Sequence, residues 1–592
     1  MTRDQKIQAL RHLMKQSNIA AIIVSGQDPH GSEYVAEHWQ TRKWLTGFSG
    51  SAGTAVVTLN QAVLWTDSRY YIQAQEQILE SGFVLFKTGQ PDVPDVQNWL
   101  EDNLMQNDIV GLDGSVFSLA GIKKLESGLN ARGIVLNTDI DFICQLWMDR
   151  PQIPASKAFL FSDRYAGQSR KNKLAHIRKQ MAKLNASHHL MATLDDIAWT
   201  LNLRGSDVHT NPVNICFLLI GTRKAVLFMD DRKLDDAIRT ALVQDHIEIH
   251  DYGQIFSALS LLSDKDGILI DPENINYRLY QAICHKDKII EKPNPAIALK
   301  AVKNDVQIAH LKDTAVKDGI AVVNFLFWLE QQKDTDKICE QSAADVLYAL
   351  RKEQDLFMGN SFDPIMAWRE HSAIVHYTAT DRTNADIGSD GMFLTDTGGN
   401  YLSGTTDITR TVYRGAAPDQ VIRDYTRVLK GHIALATAVF PKGTKGYQID
   451  TLARQFLWHQ GLDYGHGTGH GVGFFLCVHE GPARISSYPT DVKLEKGMLL
   501  TNEPGLYRDG EYGIRLENMI LVCLACEKEF GEFLKFETMT WCHFERHLMD
   551  KTMLSTGEIN YINTYHSRVY EALSAHLKPD VAAWLKEKTR PL

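Results

Sequence analysis

The sequence predicts two related α/β domains followed by one larger α+β domain, and three observations carry that expectation. Two proline-marked seams, Arg150-Pro151-Gln152-Ile153-Pro154 and Lys292-Pro293-Asn294-Pro295, interrupt the chain. Proline lacks the backbone N–H and drives its predecessor out of the helical region, so such clusters separate elements. They delimit domains at 1–155, 156–300 and 301–592. The first two segments repeat one order of elements. Ile7, Leu10 and Met14 keep the spacing of one helix face, and Leu174, Ile177 and Met181 repeat it 167 positions later. Apolar strands follow at Ile22-Ile23-Val24 and Leu190-Met191, then Leu45-Thr46-Gly47 and Leu203-Arg204-Gly205. Next come strands ending Leu64-Trp65-Thr66-Asp67 and Leu227-Phe228-Met229-Asp230. The third segment opens with Ile308, Leu311, Ala315, Val322, Leu326 and Leu329 in one helical stripe. A second helix is predicted to include His432 to Val439 and to stop before Pro441. Short strands with Gly turns come after it, a mixture typical of α+β domains.

Composition narrows the function. The 592 residues are 44% hydrophobic and 23% charged, which excludes disordered, collagen-like and coiled-coil chains. Lys and Arg number 63 against 72 Asp and Glu, a net charge of −9. There is no basic surplus to neutralise a phosphate backbone, so no nucleic-acid partner is expected. The longest apolar run near the N-terminus, Ile19 to Val24, is far too short to span a bilayer. The start, MTRDQKIQALRHLMKQ, is charged and helix-like with no signal-peptide core. No membrane partner is therefore expected, and the expected location is the cytoplasm. Of eight cysteines only Cys523 and Cys526 form a CxxC, within the apolar ILVCLAC. With no second pair to complete a zinc site, they are expected to be buried thiols.

The chemistry is concentrated in two hairpin-like segments. In FLTDTGGNYLSGTTDITRT, Asp396 ends a strand, Gly398-Gly399-Asn400 supply turn residues and Asp407 lies on the return. In LLTNEPGLYRDGEYGIRLENMIL, Glu503 ends a strand, Gly505 to Gly510 supply the turn and Glu517 lies on the return. Strand interiors are poor in Asp and Glu, and buried carboxylates need partners. Four such groups gathered together repel one another, and divalent cations relieve this best. Between the hairpins, GHGTGHGVGFFLCVHEGP carries His466, His470 and His479 among glycines that let backbones crowd a site. The run does not fit GxGxxG, and His479-Glu480 is not followed by the second His of HExxH, because position 483 is Ala. A further candidate, His376, stands upstream in SAIVHYTA.

LTDTG, TTDITRT, HGTGHGVG, TNEPG and GIRLEN resemble, in order, the five metal-ligand blocks of the creatinase/prolidase/methionine-aminopeptidase superfamily, which has the pita-bread fold. Upstream, GFSGSAGTAVVT, LWTDSRYYIQAQ, LDDIAWTLNLRGSDV and ALKAVKN are similar to the three-domain, cytosolic form of the aminopeptidase P (Xaa-Pro aminopeptidase) family. The resemblance covers nearly the whole chain. It implies two creatinase-like α/β domains followed by a pita-bread catalytic domain. One stretch departs from it: Trp368-Arg369-Glu370-His371-Ser372 replaces a small loop containing Gly and Asn, and is a candidate lining of the substrate entrance.

The resemblance implies Asp396, Asp407, His470, Glu503 and Glu517 as ligands of two divalent ions. Asp407 and Glu517 would bridge both, Asp396 would bind one, and His470 with Glu503 the other. An oxygen-rich set without thiolate favours Mn2+, with Zn2+ or Co2+ as alternatives. In the family, a metal-bridging hydroxide attacks the scissile carbonyl. By analogy Glu503 accepts the proton, His376 and His479 hold the carbonyl and stabilise charge, and His466 shapes a proline pocket. Arg515 would organise substrate and outer contacts, although both it and Arg410 could equally pair with the acidic cluster. The implied activity is release of an N-terminal residue preceding proline, by a homodimer associating through its third domain. A prolidase-type dipeptidase and a non-catalytic pita-bread peptide-binding module are the alternatives.

Overall fold

The duplication expected from the sequence is visible strand by strand in the computed structural model, which describes residues 1–333 and 337–592. The chain forms two compact units, Met1–Asp163 with Gln168–Ile297, and Arg164–Gly167 with Ala298–Leu592.

The first unit holds two six-stranded sheets. One is built from Ala21–Ser25, Thr54–Thr58, Ala62–Thr66, Val84–Lys87, Ile109–Gly111 and Val135–Asn137. The other uses His188–Met191, Cys216–Gly221, Ala225–Met229, Ile247–His250, Ile268–Ile270 and Ile289–Glu291. In both, the spatial order is fourth, third, second, first, fifth, sixth. In both, the first three strands pair antiparallel and the remaining pairings are parallel. Ile7, Leu10 and Met14 are buried on Arg3–Gln16, whose start is capped by Thr2 and Gln5, and Leu174, Ile177 and Met181 are buried on Arg170–Lys183. One proposed correspondence fails. Leu45-Thr46-Gly47 ends a helix, with Gly47 at φ 80° as its cap, whereas Leu203–Arg204 is a short strand after the helix Leu194–Leu201.

The second unit is led by the helix Asp305–Gln331, capped by Asn304 and Gln307. Leu311, Ala315, Val322, Leu326 and Leu329 face the core, while Ile308 at the first turn is only half-buried. The helix Glu340–Lys352 follows, and then Asp419–Ala436, shorter at its C-terminal end than the sequence suggests. Val439–Pro441 is instead an edge strand on Gly531–Thr538, because Pro441 holds Phe440 in the extended region. The main sheet has six antiparallel strands. Its centre is Asn518–Lys528 beside Leu499–Asn502, followed by Gly469–Gly471 and Glu480–Ile485. A separate three-stranded sheet places Gly391–Thr397 between Ile365–Trp368 and Ile408–Arg414. Cys523 and Cys526 are half-buried rather than buried, since the strand leaves the core beyond Val522.

Candidate metal centre

Asp396 sits near the end of the middle strand of the small sheet, paired with Ile365 and Thr409. Asp407 directly precedes the neighbouring strand Ile408–Arg414. The link between them is longer than a tight turn. Gly399–Tyr401 is a strand, and the chain reverses at Leu402 and Ser403 instead of at the glycines. Gly398 is small for another reason: a Cβ there would lie 2.0 Å from the Thr406 carbonyl oxygen and 2.1 Å from Ser361 Oγ. The second acidic pair behaves similarly. Glu503 follows Leu499–Asn502, and Glu517 lies between the strands Tyr512–Arg515 and Asn518–Lys528. Gly505–Arg508 and Tyr512–Arg515 form a hairpin of their own, turning at Gly510 with φ 71°.

His470 enters from the strand Gly469–Gly471 of the main sheet. The glycines around it are close-approach positions: a Cβ on Gly469 would lie 2.0 Å from the Thr501 carbonyl oxygen, and one on Gly471 would lie 2.2 Å from that of Glu480. His470 Nδ1 donates to the Gly471 carbonyl at 2.8 Å, which leaves Nε2 facing the carboxylates. Nε2 lies 3.5 Å from Asp407 Oδ2 and 3.5 Å from Glu503 Oε1. Ligand atoms of Asp407, His470 and Glu517 all fall within 4.8 Å of one another.

Asp396 joins this group through Arg515, whose Nη2 donates to its Oδ2 at 2.5 Å and whose Nη1 donates to the Tyr507 hydroxyl at 2.7 Å. Tyr507 in turn bonds His466 Nε2 at 2.8 Å. His479 packs edge-on against His470, with ring centres 4.4 Å apart. His376 is half-buried just beyond the turn Arg369–Ala373. Arg410 does not pair with the acidic cluster. Its guanidinium donates to the carbonyls of Thr409, Glu517, Cys542 and His543, to Asn518 Oδ1 and to the Tyr565 hydroxyl, tying strands together.

The electrostatics are those of a site built for added positive charge. Burial raises the carboxyl pKa values of Asp396, Glu503 and, most strongly, Glu517, and like-charged neighbours raise them further. Burial opposes charge on His470, but Asp407 and Glu503 outweigh it and lift the imidazole to about 9. Asp396 Oδ1 is buried without a hydrogen-bond partner among the described residues. Hard oxygen donors, one imidazole with its free nitrogen turned inward and an orphaned carboxylate oxygen fit divalent cations.

Sequence reasoning missed three supporting groups. Thr409 donates to Glu517 Oε2 at 2.9 Å and accepts from Arg515 Nε at 3.3 Å. Thr501 donates to Glu503 Oε1 at 3.1 Å and accepts the His470 N–H at 3.1 Å. Each threonine stands two residues from an acidic one, the period that keeps strand side chains on one face, so the signal was present. Tyr507 had none, since its ring lies across the hairpin beside the bare Gly513.

Residues 6–140 and 149–307 match the creatinase/prolidase N-terminal domain. Residues 309–523 match metallopeptidase family M24, and 532–592 match the C-terminal region of that peptidase. The probable Xaa-Pro aminopeptidase P of Laccaria bicolor is 38% identical over 605 residues, covering 99% of this chain and 93% of that one. Xaa-Pro aminopeptidase 1 of Dictyostelium discoideum is 37% identical over 611 residues, covering 100% and 96%. The crystal structure of X-prolyl aminopeptidase from Caenorhabditis elegans, described as a cytosolic enzyme with a di-nuclear active site, superposes over 100% of both chains with a TM-score of 0.97 at 34% identity. The chain belongs to the Xaa-Pro aminopeptidase family of M24 metallopeptidases, with creatinase-type N-terminal domains and a pita-bread C-terminal domain.

Proposed function

We propose that this protein is a metal-dependent aminopeptidase that hydrolyses the bond between an N-terminal residue and a following proline. The observation that carries the reading is the buried acidic cluster around His470, with Asp396 Oδ1 left without a partner, in a chain similar along its length to Xaa-Pro aminopeptidases. Asp396, Asp407, His470, Glu503 and Glu517 would hold two divalent ions, and the donor set suits Mn2+ best, ahead of Zn2+ or Co2+. Bound there, the ions supply Lewis acidity and a water that ionises near neutral pH.

The remaining steps belong to the chain. Glu503 takes the proton of the attacking water and delivers it to the departing proline nitrogen. His376 and His479 donate to the scissile carbonyl oxygen and stabilise the charge that develops there. His466, held by Tyr507, forms one wall of the proline pocket. Arg515 fixes the Asp396 carboxylate and keeps its own charge: burial opposes it, but Tyr507 and Asp396 more than compensate. An Xaa-Pro bond has no N–H to be read, so the ring is selected by shape. We further propose a cytoplasmic homodimer joined through its C-terminal unit, which light scattering at micromolar concentration would test. Among the described residues no helix is long and apolar enough to cross a membrane.

The test is product analysis of an Arg-Pro-Pro tripeptide, an Xaa-Pro dipeptide and Xaa-Ala peptides. Release of one N-terminal residue from the tripeptide, with weak action on Xaa-Ala, is expected. Cleavage of the dipeptide alone would point to a prolidase, and equal cleavage of Xaa-Ala peptides would remove the proline pocket.

A further inference from the structure

Glu340 is a fully enclosed carboxylate, 0% exposed, at the start of the helix Glu340–Lys352. Four donors converge on it. The Trp368 N–H and His371 Nδ1 reach Oε1, each at 2.8 Å. The Tyr377 hydroxyl and the Ala385 N–H reach Oε2 at 2.7 and 2.9 Å. Two donors precede His376 in the chain and two follow it, so one anion gathers both sides of the segment that carries this histidine. The rings of His371 and Tyr377 stack at 4.5 Å and 22°, closing the loop on itself. A second tie runs to the hairpin bearing Tyr507 and Arg515, where the Gly513 N–H donates to Ser372 Oγ at 2.7 Å. The turn is held against preference: Arg369 has φ 51°, a left-handed conformation uncommon for a side-chain-bearing residue, and its guanidinium donates to the Asp390 carbonyl at 2.7 Å.

A buried carboxylate is expensive unless every lone pair is used, and a fully satisfied network of this kind imposes a single arrangement on what it binds. We propose that Glu340 is a positioning residue for the reaction: by locking Tyr377, the immediate neighbour of His376, together with the Trp368–Ser372 turn, it fixes His376 where the substrate carbonyl arrives. The inference rests on the role given to His376 under Proposed function. It also gives the atypical Trp368–Ser372 stretch a task, since His371 and the Trp368 N–H supply half of the bonds to Glu340. An amide in place of Glu340 would present N–H groups to one of the two donor pairs and break it.

The experiment is a double-mutant cycle on the full-length, metal-loaded enzyme, with kcat/KM for Arg-Pro-Pro and bound metal measured for each variant. His376→Ala is expected to lose about 10²-fold. Glu340→Gln should lose about tenfold in the native background, with metal content unchanged. In the His376→Ala background the same change should cost less than about twofold, because residues acting through one group are not additive. An equal loss in both backgrounds, or loss of metal from Glu340→Gln, overturns the proposal and leaves the role of His376 standing. Full activity of His376→Ala overturns that role and the proposal with it. Should Glu340→Gln be insoluble, Tyr377→Phe, which removes one bond to Glu340, runs the same cycle with the same criteria.

Discussion

Mild acid should open the catalytic unit through three buried histidines. Burial is the main reason that His432, His543 and His566 each fall from an ordinary value of 6.5 to about 3. The geometry agrees. His566 Nε2 accepts the Phe544 N–H at 3.1 Å, and His432 donates through Nδ1 to the Leu516 carbonyl at 3.2 Å, so its Nε2 accepts from Asn518 Nδ2 at 3.4 Å. Protonating either acceptor nitrogen would turn an attraction into a clash of donors. The unfolded chain takes up protons as the pH falls below about 6.5, while the folded protein does not until about 3. The stability these groups contribute is therefore complete above about 6.5 and is lost progressively as the pH falls towards 3. Between pH 7 and pH 5 the loss is about 2 kcal/mol per ring and several kcal/mol together, His543 and His566 also disfavouring each other's charge. That is a large share of the roughly 5–15 kcal/mol by which a domain is stable. His432 also links the drop to function, since it holds the backbone beside Glu517 and its own carbonyl accepts from Asn502, beside Glu503. Hydrogen exchange in the helices Asp419–Ala436 and Thr556–Leu573, corrected for the intrinsic rate, measures the opening free energy directly. His566→Gln keeps a polar group without titrating and should recover about 2 kcal/mol of the pH-dependent loss. A wild-type loss below about 1 kcal/mol over this range, or an undiminished loss in His566→Gln, would refute the reasoning.

Other outcomes follow from the site itself. Dialysis against a chelator should abolish peptidase activity and added Mn2+ should restore it, with about two ions per chain by elemental analysis; full activity of the metal-free protein would contradict this. His479→Ala should lower turnover about 10²-fold at unchanged metal content, whereas His470→Ala should lose metal. Replacing Arg515 by Gln frees Asp396 and should weaken metal binding about 10–100-fold, measurable by competition with a chromophoric chelator. Gly469→Ala would place a methyl 2.0 Å from a backbone oxygen on the strand leading to Glu503. It should cost about 3 kcal/mol or more and be read as a fall in melting temperature together with lost metal.

How much of this was legible depends on the physics that set each feature. The duplicated sheets were readable because helix and strand periodicities recur in the same order, and the structure gives both sheets one strand order. Family blocks made the acidic residues and His470 candidates, but their approach depends on pairings between strands distant in sequence. The turn positions were misread because Gly398 and Gly399 look like turn residues, yet Gly398 is small to admit the Thr406 carbonyl and Gly399 lies in a strand. The helix before Val439 was drawn too long because apolar spacing cannot distinguish a last helical turn from an edge strand; the following proline could have done so. Glu340 could not be found at all. It reads as an ordinary acidic residue in the first turn of a helix, and only tertiary closure brings Trp368, His371, Tyr377 and Ala385 onto it.

The file of hydrogen bonds from His466 through Tyr507 and Arg515 to Asp396 has two ends with different occupations. One end belongs to the proposed proline wall and the other to the proposed metal shell. Such an arrangement makes the two loading events partners in a thermodynamic cycle. Whatever factor an ion contributes to peptide affinity by drawing on Asp396, the peptide must return to ion affinity by drawing on His466. A dissociation constant for either ligand then has meaning only at a stated concentration of the other. An inhibitor that fills the proposed proline pocket should change the affinity for metal it never touches, by the same factor that the metal changes its own.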